Sequence, residues 1–163
     1  MSDQQLHHLF NHLPSIGLII GVMVMIVSLL FKKSQALSAG AIILLISGLS
    51  VLPVNKTGED TEERIEQIAG VNESAIKDHE EAAEQVLPFA IASAVLALFY
   101  LVAAWKGWKW SNTIAIAALL VAGMAIYFVI EASHRGGLIR HPELDSAAIA
   151  PLVGGGEENE EDD

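Results

Sequence analysis

Four uninterrupted apolar runs cut this chain, separated by polar segments of very different lengths. Leu13–Phe31, Ala36–Val54, Val86–Trp105 and Thr113–Ile130 hold 19, 19, 20 and 18 residues, with no Asp, Glu, Lys, Arg or His among them. A hydrocarbon core about 30 Å thick is crossed by ~20 helical residues, so each run is long enough for one crossing. The pattern predicts an all-α fold, an integral membrane four-helix bundle with two short outer-loop helices. Residues 1–145 are expected to form the membrane domain, with spans at 13–31, 36–54, 86–105 and 113–130 and an outer loop over 55–85.

The polar links set the expected orientation. Phe31-Lys-Lys-Ser-Gln35 and Trp105-Lys-Gly-Trp-Lys-Trp-Ser-Asn112 contain lysine and no acid. Short basic loops stay cytoplasmic, so loops one and three should face inward. The N-terminus, the 31-residue stretch Asn55–Gln85 and the C-terminal tail then face outward. This predicts a multi-pass protein of the inner (plasma) membrane with both termini periplasmic. All 20 acidic residues and all six histidines fall in those outer segments, so any chemistry is expected there.

Composition supports this reading and narrows the chemistry. A hydrophobic content of 52% and a mean hydropathy of +0.45 fit a membrane protein. The outer segments carry 20 acids against five basic residues. Such a surface repels nucleic acid and anionic lipid and attracts cations or basic proteins. With no cysteine, disulfides, thiolate metal sites, iron–sulfur clusters and c-type haem attachment are excluded. The first 12 residues lack a basic n-region and no small-residue cleavage site follows the first run, so the first span is expected to remain.

Finer signals mark the ends of the elements. Leu6, Leu9, Phe10 and Leu13 suit a brief interfacial helix capped by Asp3, and Pro14 fits the first turn of span one. Gly17 and Gly21 form a GxxxG, a surface for ordinary helix packing or for a flat cofactor. Thr57-Gly-Glu-Asp60 resembles a capping box for a loop helix ending at Gly70. Asn72 can cap a second helix running into span three, which Pro88 should kink or break. Trp105, Trp108 and Trp110 read as an inner aromatic belt. Residues 146–163 form an acidic tail, ending in GGGEENEEDD, that cannot bury a core and is expected to be disordered.

The histidines carry the candidate chemistry. His7, His8 and His12 precede span one, His79 precedes span three, and His134 and His141 follow span four. In a four-helix bundle these places converge on one rim. Ile76, His79, Ala83 and Val86 share a helical stripe, which turns His79 toward the bundle with Glu80 and Glu84 on a neighbouring stripe. Imidazoles at an apolar–polar boundary can ligate Zn, Cu or haem iron, and nearby carboxylates can orient them. The residues proposed for a metal are His12, His79, Glu80, Glu84 and His141. The bland reading is that these histidines bond water at the interface. His134, three residues after Glu131 at the end of span four, is expected instead to hold a proton with help from that carboxylate and the helix C-terminus.

Other signals are weak. His79-Glu80 begins an HExxH, but Ala83 occupies the second ligand position, which argues against a zincin protease. The spans hold no ionisable group at midplane, which argues against a pump or proton-driven transporter. Met23, Met25 and Met124 suit lipid-facing or core positions better than copper ligation.

A resemblance covers almost the whole chain. His7-His-Leu-Phe-Asn-His12-Leu-Pro14 resembles the H-P-x-x-x-H-F-P opening of an uncharacterised bacterial four-span membrane family, a domain of unknown function, with His8 in place of the usual proline. Gly136-Gly137-Leu-Ile-Arg-His141 resembles that family's G-G-x-L-x-x-x-H ending, with shortened spacing. Thr57-Gly58-Glu59 and Asp78-His79-Glu80-Glu81-Ala-Ala-Glu84 resemble a subgroup with a longer outer loop. The resemblance implies His7, His12, His79 and His141 as cofactor ligands. The layout is also similar to membrane cytochrome b subunits. Their ligands sit a turn or more inside the membrane, however, so a mononuclear or dinuclear metal site competes with haem b here.

Two functional classes follow as expectations. One is a redox or electron-transfer membrane protein with an outer His/carboxylate site for haem b or a transition metal ion, working with a basic electron-transfer protein. The other is an accessory subunit of a larger, respiratory-type membrane complex whose histidines are structural. A metal-dependent membrane hydrolase is a third reading, since two carboxylates beside a metal can activate water.

Overall fold

The structure is a computed structural model that describes residues 10–65 and 73–140. Four helices follow one another: α1 (His12–Leu30), α2 (Ser34–Ile65), α3 (Glu73–Trp105) and α4 (Ser111–Arg140). Each is long and apolar enough to cross a membrane. The chain is a multi-pass membrane protein with a four-helix bundle, as its apolar runs require. Pro14 stands in the first turn of α1, where its missing N–H needs no intrahelical partner.

The turns between α1 and α2 and between α3 and α4 are short and close in the same way. After α1, the Lys32 N–H donates to the Leu29 carbonyl (3.3 Å) and the Lys33 N–H to that of Ser28 (2.8 Å). After α3, Gly107 donates to Ala104 (3.1 Å) and Trp108 to Ala103 (2.9 Å). These are Schellman closures, which need one left-handed residue. Gly107 supplies it in the second turn at φ 68°, but Lys32 supplies it in the first at φ 53°. That conformation costs a residue with a Cβ about 1 kcal/mol.

Side-chain contacts give the register. Ser38 Oγ lies 3.5 Å from Tyr100 Oη, while Gly48 sits on Ala90 and Ala94, so α2 and α3 run antiparallel. Phe89 stacks on Phe128 at 5.0 Å and His79 meets Ala132, so α3 and α4 also run antiparallel. α1 packs on both α2 and α4, closing the bundle. One end of the bundle therefore carries Lys32, Lys33, Lys106 and Lys109, and the opposite end carries His79.

Inside, the residues are small; outside, they are large. Leu18, Met25 and Leu44 are buried, but α3 and α4 contribute mainly alanine to the core, including Ala90, Ala97, Ala115, Ala118, Ala122 and Ala125. Ile19, Met23, Phe99, Leu120, Met124 and Tyr127 point outward. Lipid tails are as apolar as leucine, so burying a large side chain gains little, and close backbone approach decides what faces inward. Gly17 and Gly21 show this directly. A Cβ on Gly17 would run into the Ser47 side chain, and one on Gly21 would stand 3.1 Å from the Leu44 amide nitrogen. Of the two readings of the GxxxG, the structure therefore shows a neighbouring helix.

The loop helices differ from expectation in one respect. They are not separate, because α2 runs on through Pro53 to Ile65, and α3 starts at Glu73 and passes Pro88 unbroken. Thr57 does not cap a new helix. Its hydroxyl donates back to the Pro53 carbonyl (2.9 Å) and the Val54 carbonyl (3.1 Å), which an in-helix threonine does readily. Packing against neighbouring helices lets both prolines stay inside a helix at the loss of one hydrogen bond each. The expected helix end at Gly70 and the cap at Asn72 lie outside the described residues, as do the interfacial segment before Phe10 and the acidic tail.

Helix length places the site. At 1.5 Å per residue the 33 residues of α3 extend about 50 Å, well beyond a ~30 Å core. The His79 end of α3 therefore projects past the apolar layer, beside the matching ends of α2 and α4.

Candidate functional site

His79 stands on the inner stripe of the projecting part of α3, as its spacing predicts. Ile76 (2% exposed) and Val86 (5%) on the same stripe are buried, and Ala83 is half-buried. The His79 ring itself is half-buried against α4. Its Nδ1 lies 2.9 Å from the Ala132 carbonyl oxygen. A carbonyl only accepts, so Nδ1 carries the proton and donates it. In the neutral ring the Nε2 lone pair is then left available, which is how backbone carbonyls orient histidines toward metals.

Gly136 forms the seat of the ring. A Cβ at this position would stand 3.0 Å from His79 Cε1 and 3.1 Å from Nδ1. Gly137, one residue on, has nothing within 4 Å of its would-be Cβ. Arg135 adds a second tie to α3. Its Nε donates to Glu131 Oε1 at 2.8 Å, and its Nη1 lies 3.5 Å from the Asp78 carbonyl oxygen. One turn of α4 thus grips residues 78 and 79 through a carbonyl, a glycine and a guanidinium.

These contacts make a paired prediction. Gly137→Ala should stabilise the protein by up to ~1 kcal/mol, because alanine is the better helix former and its methyl meets nothing. Gly136→Ala should fall below it by about 1–3 kcal/mol, the usual cost of overpacking. Thermal unfolding followed by circular dichroism measures both, and equal midpoints would remove Gly136 as the seat.

The other candidates are placed less tightly. His12 is the first residue of α1 and is exposed, with its carbonyl accepting from Ser15 Oγ at 3.0 Å. Glu80 is half-buried and Glu84 exposed. His7, His8 and His141 lie outside the described residues. Among the described residues, no three His, Asp or Glu side chains come together as a group that could hold a metal ion.

His134 requires a correction. It is exposed, and the carboxylate expected to face it, that of Glu131, instead pairs with Arg135 in an i,i+4 ion pair. Nor does His134 sit at a helix terminus, because α4 continues to Arg140. A guanidinium reaches a carboxylate one turn back with better geometry than an imidazole does, so Arg135 takes it.

No protein-family model, curated protein or solved structure matches this chain. The site is therefore built from its own residues. Sequence reasoning found His79 from its stripe but missed Ala132, Arg135 and Gly136. The available signal was a Gly–Gly pair beyond an apolar run, in a segment that stays helical.

Proposed function

We propose that this membrane protein holds a transition metal ion through His79 at the end of the bundle that bears the acidic residues, in a redox or electron-transfer role. The observation that carries the proposal is the His79 ring, whose Nδ1–H is committed to the Ala132 carbonyl, which leaves Nε2 as the unprotonated nitrogen that can ligate a metal. His12, Glu80, Glu84, His7 and His141 are the further ligands the chain offers. Haem b is the alternative occupant. The alanine-lined core and close helix contacts favour an ion at the projecting end over a haem within the bundle. The acidic surface suits a basic electron-transfer partner. The lysine-bearing turns support a cytoplasmic placement of the opposite end, which would put this end on the periplasmic side of an inner (plasma) membrane.

A second reading has a specific observation in its favour. The same hydrogen bond that fixes His79 also ties α3 to α4, which is what a structural histidine in an accessory subunit of a larger membrane complex would do. Metal analysis and an optical spectrum of the purified protein separate the readings. Bound metal near one equivalent supports the ion and a Soret band supports haem, whereas neither signal leaves the accessory subunit.

Orientation has its own test. A cysteine replacing Ser34 or Ser111 should resist an impermeant thiol reagent in intact cells, and one replacing Ser146 should label. The opposite pattern would turn the site to the cytoplasm.

A further inference from the structure

We infer that the lysine end of the bundle is a binding surface for anionic phospholipid headgroups, built from both short turns together. The contact between Ser38 and Tyr100 brings the start of α2 beside the end of α3, so the turn with Lys32 and Lys33 adjoins the turn with Lys106 and Lys109. All four lysines are exposed. α2 and α4 begin here while α1 and α3 end here, so the helix dipoles offset one another and the four lysines supply the net charge.

The protein provides no counter-charge for this surface among its described residues. No Asp or Glu occurs between Phe10 and Gly58 or between Gln85 and Ile130. Along the helices the nearest acids, Glu59, Glu84 and Glu131, are at least about 30 Å from the lysines at 1.5 Å per residue. A Debye length of about 8 Å removes any useful attraction over that distance. Among the described residues, none can neutralise this surface. Phospholipid is the partner positioned to supply the counter-charge, because the lysines stand beside the apolar faces and among aromatic anchors. Trp105 is 83% exposed, Trp108 and Trp110 stack at 4.9 Å, and Lys106 Nζ lies 5.7 Å from the Trp108 ring. Indole and ammonium held together at this level match the glycerol–phosphate region of a bilayer.

Lys32 adds an independent observation. It occupies the left-handed position that Gly107 fills in the equivalent turn. Glycine would be easier there on backbone grounds, so the lysine side chain is retained against local strain.

The chain supplies its own probe, since its three tryptophans are Trp105, Trp108 and Trp110, all at this end. The full chain is reconstituted in phosphatidylcholine vesicles containing a small, fixed fraction of bromine-labelled phosphatidylglycerol or bromine-labelled phosphatidylcholine. Quenching of tryptophan emission gives the association of each lipid relative to the bulk. The anionic lipid should be preferred at least about tenfold, since each neighbouring lysine is expected to contribute about fivefold, equivalent to ~1 kcal/mol. Lys32→Gly should lower the preference about fivefold while raising the thermal midpoint, a combination that loss of folding cannot produce. The Lys106→Gln/Lys109→Gln double variant should lower the preference further than Lys32→Gly does, and arginine at both positions should restore it. A wild-type ratio of one, or an unchanged ratio in Lys32→Gly, overturns the inference.

Discussion

Gly48→Leu is expected to break the bundle, and Gly123→Leu to leave it intact. Both glycines lie mid-helix in apolar runs, and sequence does not distinguish them. In the structure, a Cβ on Gly48 would stand 2.9 Å from Ala94 Cβ and press on the Ala90 carbonyl, a backbone atom that cannot swing aside. A leucine there must push α2 from α3 along the contact that runs from Ser38 to Gly48. Overpacking in a well-packed core costs typically 1–3 kcal/mol, and here the upper end or more is expected because the clash is with backbone. Gly123 has nothing within 4 Å of its would-be Cβ and faces outward. Leucine at that point meets lipid and gains helix propensity, for a change of ~0–1 kcal/mol in favour of folding. Helicity against added denaturing detergent, at matched protein concentration, measures both variants. Comparable midpoints would mean that α2 and α3 are not in contact at Gly48.

Removal of His79 should have the largest effect on bound metal. Changes to the groups that orient a ligand weaken metal sites by about 10–100-fold, and loss of the ligand itself should do at least as much. If His12 and His141 complete the site, each single alanine variant should lose most of the ion, and a second replacement should add little, because ligands of one ion are non-additive. His134→Ala should retain the ion, since that side chain is exposed on α4 and turns away from the His79 ring's partners. His79→Gln adds a finer discrimination: its amide N–H₂ can still donate toward Ala132 and keep α3 tied to α4, but it offers a much poorer metal donor. A stable, metal-free His79→Gln protein is therefore expected. Stoichiometric metal in His79→Ala would sink the ligand role and leave the accessory-subunit reading in place. A stable His79→Gln beside a clearly less stable His79→Ala, with no metal in the wild type, would likewise leave His79 as a structural tie between α3 and α4.

The stripe of Ile76, His79, Ala83 and Val86 was legible because a helix repeats every 3.6 residues whatever it packs against, so spacing alone turns His79 inward. What receives His79 was not legible. Ala132 and Gly136 lie more than 50 positions away on another helix, and an alanine carbonyl and a bare glycine carry no chemical signature in a sequence. Glu131 illustrates the opposite error. Its nearness to His134 along the chain suggested a pair, but competition from Arg135 one position further on decided the contact.

The four crossings and the segregation of lysine from acid are written into the order of residues, because lipid excludes charge from about 20 residues at a time and the chain must obey this before it folds further. The sequence also determined that large apolar residues would be plentiful, but not which of them face inward. That choice came from the packed bundle, together with the continuity of α2 and α3 past their prolines and the use of Gly48 and Gly136 as points of close approach. Apolar side chains are equally at home in lipid and in protein, so hydrophobicity cannot assign a side to them. That assignment belongs to packing, which depends on shape, and shape exists only once the helices meet.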